Sequence, residues 1–242
     1  MRFRDQVVAV TGAAGGIGRV LVDRFTAEGA VVAEGDIQGA SGVDVTDRAT
    51  VQEWVAGVER RHGPIDVLVN NAAVARDAEF VDLPEEQWHH ELDVSLTGAF
   101  LCAQAVLPGM LERRRGVIVN ISSVNAVSYF GNEAYSAAKA GLLSLTRSLA
   151  VKYGPHGVRC NAVVPGTIRT PIWDERVAVA PDILDRLAVW YPLGRVGTPD
   201  DVASAVLFLA SADAAWITGV ALPVDGGLLA GNRLMTEQLV IT

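Results

Sequence analysis

Tyr135 and Lys139, in the segment Tyr135-Ser-Ala-Ala-Lys139, stand four residues apart. On a helix that spacing puts a phenol and an amine on one face, one turn from each other. A free tyrosine titrates near pH ~10, too high for an effective base at neutral pH. A neighbouring ammonium favours the phenolate and lowers that value, so the pair is a candidate for acid–base chemistry. The spacing alone is weak evidence, because two ordinary residues on a helix show it by chance. Its meaning depends on the elements that would position it.

The second chemical feature lies near the start. A short apolar run ends in Thr11-Gly-Ala-Ala-Gly-Gly-Ile-Gly18. Gly12 permits a tight exit from a strand, while Gly16 and Gly18 let the backbone approach a pyrophosphate and the next helix pack on the sheet. That helix, entered through Ile17, would offer free N–H groups and its positive end to phosphates. Asp36 closes the next apolar run. A carboxylate there accepts hydrogen bonds from the adenosine ribose hydroxyls and repels a 2′-phosphate, which favours NAD over NADP. Neither Gly15 nor Ile37 is a Lys or Arg that would reverse that preference.

Short apolar runs at 6–11, 30–35, 65–70, 116–122, 158–164 and 220–223 alternate with helical patterns at 16–28, 47–61, 84–113, 133–153 and 199–211. Five of the six runs are rich in Val or Ile, as strands buried on both faces should be. The order predicts an α/β fold: one Rossmann-type domain with a doubly wound parallel sheet and helices on both faces. Only Ile37–Val43 separates Asp36 from Asp44, too little for a crossover helix, so Asp44-Val45 is expected to form a very short third strand.

The 242 residues, half of them hydrophobic, suffice for one domain with a full core. A net charge of −8 argues against a broad nucleic-acid face, and Arg113-Arg114-Arg115 reads as a solvated helix end. No apolar segment reaches membrane-spanning length without Gly, Pro or charge, and MRFRDQVVAVTG reads as a first strand rather than a signal peptide. Cys102 and Cys160 have neither metal nor redox spacing, and the four histidines form no ligand pattern. No metal is expected, and the expected location is cytoplasmic.

Taken in order, Thr11-Gly-x-x-x-Gly-Ile-Gly18, Asp44-Val45, Asn70-Asn-Ala-Ala73, Ile121-Ser-Ser123, Tyr135-x-x-x-Lys139, Pro165-Gly-Thr-Ile-Arg-Thr-Pro171 and Val224-Asp-Gly-Gly227 resemble the classical short-chain dehydrogenase/reductase family over nearly the whole chain. The resemblance implies a nicotinamide-dependent oxidoreductase acting on an alcohol or ketone, with Ser123, Tyr135 and Lys139 as catalytic residues. Ser123, twelve residues before the tyrosine, is the preferred serine and Ser122 the lesser candidate. Tyr135 would exchange the proton, Ser123 would stabilise charge on the substrate oxygen, and Lys139 would hold the nicotinamide ribose. The same resemblance implies that Asp44 and Val45 contact adenine, that Asn70 lines the adenosine side, and that Ile168 and Thr170 hold the nicotinamide amide and phosphates.

Two positions depart from the family pattern. Ala73 replaces a glycine, implying a slightly tighter turn. Ser95 stands where the family has an Asn that anchors a water-linked proton path through its main-chain carbonyl at a helix irregularity. Serine also bonds to helix backbone and disturbs it, so an altered relay is expected. A non-catalytic dinucleotide-binding redox sensor is the alternative that these departures leave open. Residues 166–197 are expected to form a substrate lid. Trp173, Trp190 and Tyr191 either line the pocket or pack the lid on its own domain or a neighbour. Asn125 is the polar candidate for the pocket, and Arg169 or Arg176 a lesser one for a substrate carboxylate. The tail at 228–242 is expected to reach a neighbouring subunit, and a homotetramer through the helices at 94–113 and 133–153 is implied.

Overall fold

The computed structural model describes residues 1–239. Six parallel strands form a single sheet: β1 (Val7–Thr11), β2 (Val31–Gly35), β3 (Val67–Asn70), β4 (Gly116–Ile121), β5 (Val158–Pro165) and β6 (Ala221–Val224), in the order β2-β1-β3-β4-β5-β6. The sheet is doubly wound, as the alternation of runs predicts. Strand side chains alternate between its faces. Val7, Ala9, Leu68 and Ile118 point to α2 (Arg48–His62) and α4 (Gly98–Glu112). Val8, Val10, Val69 and Val119 point to α1 (Gly16–Ala27) and α8 (Pro199–Ala210). Burial on both faces is why these strands are Val- and Ile-rich throughout. Each fully buried large side chain, such as Leu21 or Phe25 on α1, contributes about 1.5–3 kcal/mol. Phe25 also meets Phe3 edge-on, with ring centroids 4.8 Å apart.

The long helix expected over 84–113 is interrupted. It runs as α3 (Glu85–Leu92), a π-helical turn (Asp93–Thr97) and α4. In that turn the Gly98 amide reaches the Asp93 carbonyl, five residues back. The run Glu85–Glu112 is the one helix among the described residues long and apolar enough to cross a membrane. Half of its apolar window is buried inside the fold, as in a core helix. Its neighbour α5 (Glu133–Tyr153) carries the Tyr–Lys pair.

Asp44-Val45 is not a strand, contrary to the sequence expectation, and the sheet has no member from that segment. The Val43 amide folds back to the Asp36 carbonyl (2.9 Å). The Asp44 carboxylate accepts from both the amide (2.9 Å) and the hydroxyl (2.7 Å) of Thr46. These bonds commit the segment to a turn leading into α2, whose Asp47 cap accepts from the Ala49 amide. Val45 is buried against the start of α4, where only Gly98 leaves it room.

The segment after β5 holds a 3₁₀ turn (Pro171–Trp173), α6 (Asp174–Val179) and α7 (Ile183–Ala188), and the tail ends in α9 (Arg233–Leu239). The last part of the tail, 240–242, lies outside the described residues.

Candidate active site

The catalytic and cofactor candidates gather at the carboxyl ends of the strands, where doubly wound sheets hold ligands. Gly12 and Gly16 have φ of +63° and +55°, a region that favours glycine. A Cβ on Gly18 would lie 1.9 Å from the Gly12 carbonyl oxygen, so α1 packs on β1 more closely than any side chain permits. A Cβ on Gly15, by contrast, would meet nothing within 4 Å. Gly15 caps α1 without a side-chain bond, so no capping side chain takes the first-turn N–H groups. Ile17 points the other way, into the apolar cluster beneath.

Asp36 stands beside this turn. One carboxylate oxygen accepts from the Ala14 amide (2.9 Å) and the other from the Gln38 amide (2.8 Å). Across the turn, Thr170 presents its methyl 3.5 Å from where a Gly16 Cβ would be. Ile168 is buried and pairs with Gly197 as an isolated bridge. These residues fit a dinucleotide: free helix amides and a glycine floor for phosphates, with a carboxylate for a ribose.

A tie between β1 and β3 escaped the sequence reading. Asn71 Nδ2 donates to the carbonyls of Thr11 (3.0 Å) and Gly12 (2.9 Å), and the Thr11 hydroxyl accepts from the amides of Asn71 (3.0 Å) and Ala72 (3.1 Å). The second Asn of the Asn-Asn motif is therefore the one that clamps the glycine turn. The side chain of the first, Asn70, is turned inward and donates to Asn120 Oδ1 (2.8 Å). One oxygen of the Asp44 carboxylate is likewise taken by Thr46.

Tyr135 and Lys139 do lie on one face of α5. The Lys139 ammonium sits 5.4 Å from the Tyr135 ring centroid and donates to the Ile121 carbonyl (2.7 Å). Lys139 is 1 % exposed, and burial pushes it down to about 7. Burial also pushes the Tyr135 phenol up, reinforced by the Glu91 carboxylate and opposed by the Ser123 hydroxyl. The lowered phenol anticipated from the Tyr–Lys spacing is thus reversed in the protein alone. Desolvation is the largest cause of that rise. Glu91, buried on α3, accepts from the Arg76 amide and Gln87 (both 3.0 Å).

Ser123 and Ser122 separate clearly. The Ser122 hydroxyl is buried and donates to the Lys139 carbonyl (3.1 Å). Ser123 Oγ bonds Asn125 Oδ1 (3.1 Å) and accepts from the Asn125 amide (3.2 Å). Asn125 is itself tethered to the Gly131 carbonyl (2.8 Å), so it fixes the serine. Ser123, Asn125, Tyr135 and Trp173 line one cavity of about 790 Å³. Trp190 and Tyr191 line it too; Trp190 is half exposed, while Tyr191 is buried and its hydroxyl accepts from the Thr167 amide (2.8 Å), tying together the segment after β5. Arg176 pairs with Asp77 and Arg169 with Asp174. The tail returns to its own site, with Leu228, Gly231 and Asn232 on the cavity wall. Ser95, buried in the π-helical turn, accepts from the Val74 amide (3.4 Å), so its hydroxyl holds the loop after β3.

The family model described as enoyl-(acyl carrier protein) reductase matches residues 12–229. An uncharacterized oxidoreductase of Schizosaccharomyces pombe is 48 % identical over 99 % of this chain and 96 % of its own. A 3-oxoacyl-[acyl-carrier-protein] reductase of Thermotoga maritima is 40 % identical over 95 % of this chain and all of its own. Among solved structures, a short-chain dehydrogenase/reductase-family oxidoreductase of Burkholderia thailandensis superposes with a TM-score of 0.89, at 46 % identity over 97 % of this chain and 96 % of that one. ElxO with NADP bound superposes at 0.87 and 28 % identity, over 93 % and 99 % of the two chains. With the parallel sheet, the glycine turn and the Ser–Tyr–Lys cluster in place, these matches establish that the chain belongs to the short-chain dehydrogenase/reductase family of oxidoreductases.

Proposed function

We propose that the protein exchanges hydride between NAD(H) and an alcohol or ketone held in the cavity of Ser123 and Tyr135. The observation that carries this reading is the meeting of two elements at one cavity: the loop after β4 brings Ser123, and α5 brings Tyr135 with Lys139 against its ring. Thr170, two residues past the cavity-lining Ile168, stands against the glycine turn. When bound, the nicotinamide supplies or accepts the hydride. The chain's own residues do the rest. Ser123, still held by the Asn125 amide, turns its one hydroxyl proton from Asn125 Oδ1 to the substrate oxygen and stabilises charge developing there. Tyr135 gives or takes the proton at that oxygen. Lys139, poised near neutral pH by burial, changes charge with little cost and supports the phenolate as it forms. Ser95 and the π-helical turn stand at the start of the proposed route by which the proton leaves.

Asp36 supports NAD over NADP, because a carboxylate beside the glycine turn suits ribose hydroxyls and repels a 2′-phosphate. ElxO, a relative, is solved with NADP bound. The cytoplasm as the site of action, residues 1–242 as a single domain, and assembly as a homotetramer through α4 and α5 complete the proposal. Phe100 and Val151, exposed apolar side chains on those two helices, support the last point.

Turnover of an alcohol panel, with thermal shifts in NAD and NADP, tests the reading. Tyr135→Phe should lose at least about 10³-fold in turnover while keeping its cofactor-induced shift. Undiminished turnover in Tyr135→Phe would remove the tyrosine from the chemistry, and a larger shift with NADP would overturn the Asp36 argument.

A further inference from the structure

The cavity's charged groups cancel. Among its described lining residues Arg176 is the only cation and Asp77 the only anion, and the two form an ion pair between α6 and the loop after β3. Arg176 is held from a second side as well, its guanidinium lying 5.1 Å from the Trp173 ring centroid. Elsewhere the wall is apolar or neutral: Phe130, Ile172, Trp173, Leu187 and Trp190 supply hydrophobic area, and amides such as Asn132 and Asn232 supply uncharged polarity. The other arginine at the start of the lid, Arg169, is bonded to Asp174 at 2.8 Å and lies off the wall.

We propose that Asp77 sets the charge selectivity of the site: by pairing with Arg176 it cancels the one cation a substrate would meet, so the site takes an uncharged alcohol or ketone with an apolar, ring-bearing body and discriminates against carboxylates. This rests on the reading of the cavity as the substrate site. A carboxylate on the substrate would have to displace Asp77 from Arg176 while standing near the aspartate's own charge. A neutral ring pays neither penalty and gains the aromatic wall. The pair is half exposed, with side chains 46 % (Arg176) and 65 % (Asp77) accessible. Its intrinsic strength is therefore small. The selectivity comes from the cancelled field at the cavity wall, not from a strong latch.

The test compares a matched pair of ketones, acetophenone and 4-acetylbenzoate, in wild type, Asp77→Asn and Asp77→Asn/Arg176→Gln. Wild type should favour the neutral ketone by about tenfold or more in kcat/KM. Asp77→Asn should cut that ratio about tenfold, chiefly through KM for the carboxylate. The double variant should restore the ratio, because the unmasked cation is gone. Calorimetry of benzoate and benzamide binding, with NAD saturating, gives a second readout independent of turnover. Benzoate should tighten about tenfold relative to benzamide in Asp77→Asn. A wild-type ratio near one, or a ratio unmoved in an Asp77→Asn protein that melts like wild type, would overturn the proposal. Failure to turn over either ketone, with selective tightening of benzoate intact, would count against the oxidoreductase reading and uphold the charge masking.

Discussion

Replacing Lys139 by Met should change how stability depends on pH, and the structure sets the size of the change. In the unfolded chain this amine keeps its proton to its ordinary value of 10.5, whereas in the folded protein burial brings it to about 7. Between those values the unfolded state binds one proton more, so raising the pH favours the folded state. Below pH ~7 the buried charge costs its full penalty, about 5 kcal/mol for the whole shift. Wild type should therefore gain stability relative to Lys139→Met as pH rises, by about 2 kcal/mol between pH 7 and pH 9. A second, pH-independent difference of about 1–3 kcal/mol comes from leaving the Ile121 carbonyl without its donor. Cys102 and Cys160, pushed up from 9.0 to about 12 by burial, pull the other way above pH 9. They do so in both proteins and cancel in the difference. Urea midpoints of the two proteins at pH 7, 8 and 9, at one protein concentration, read the effect. A wild-type stability that, measured relative to Lys139→Met, stays flat or falls as pH rises would refute the claim that Lys139 is buried and titrates near neutrality.

The remaining predictions concern the cofactor turn and the assembly. Gly18→Ala should lose at least about 1–3 kcal/mol in urea and most cofactor affinity, since its Cβ would overlap the Gly12 carbonyl. Gly15→Ala, extended at φ −153° with open space around it, should fold as wild type by the same denaturation measurement. Equal midpoints for the two would show that helix-to-strand contact is not what the third glycine serves. Light scattering should give four times the 25.6 kDa chain mass, and a single-chain mass would refute the tetramer.

Much of the fold was legible in the sequence. Apolar runs and amphipathic stretches located all six strands and the long helices, and burial on both faces left the valine-rich pattern in the central β1, β3, β4 and β5. The expected third strand at Asp44-Val45 failed on a polar detail. A carboxylate two residues before a threonine amide closes a local turn, and that turn competes with sheet pairing. The π-helical turn within the long helix was visible only as the family's irregularity at Ser95. Nothing in the apolar period marks a single displaced hydrogen bond.

What the sequence determined by itself was the set of chemical types and their order along the chain: glycines before a helix, an acid after the second strand, a serine, and a phenol one turn from an amine. Which of them face one another was decided only by tertiary structure. Asn71 rather than Asn70 clamps the glycine turn, Ser123 rather than Ser122 meets the cavity, and Arg176 is cancelled by Asp77, 99 positions earlier. The direction of the Tyr135 and Lys139 shifts also belonged to the fold. Spacing specifies how near two charges are, but burial decides what each charge costs, and burial is a property of everything packed around them.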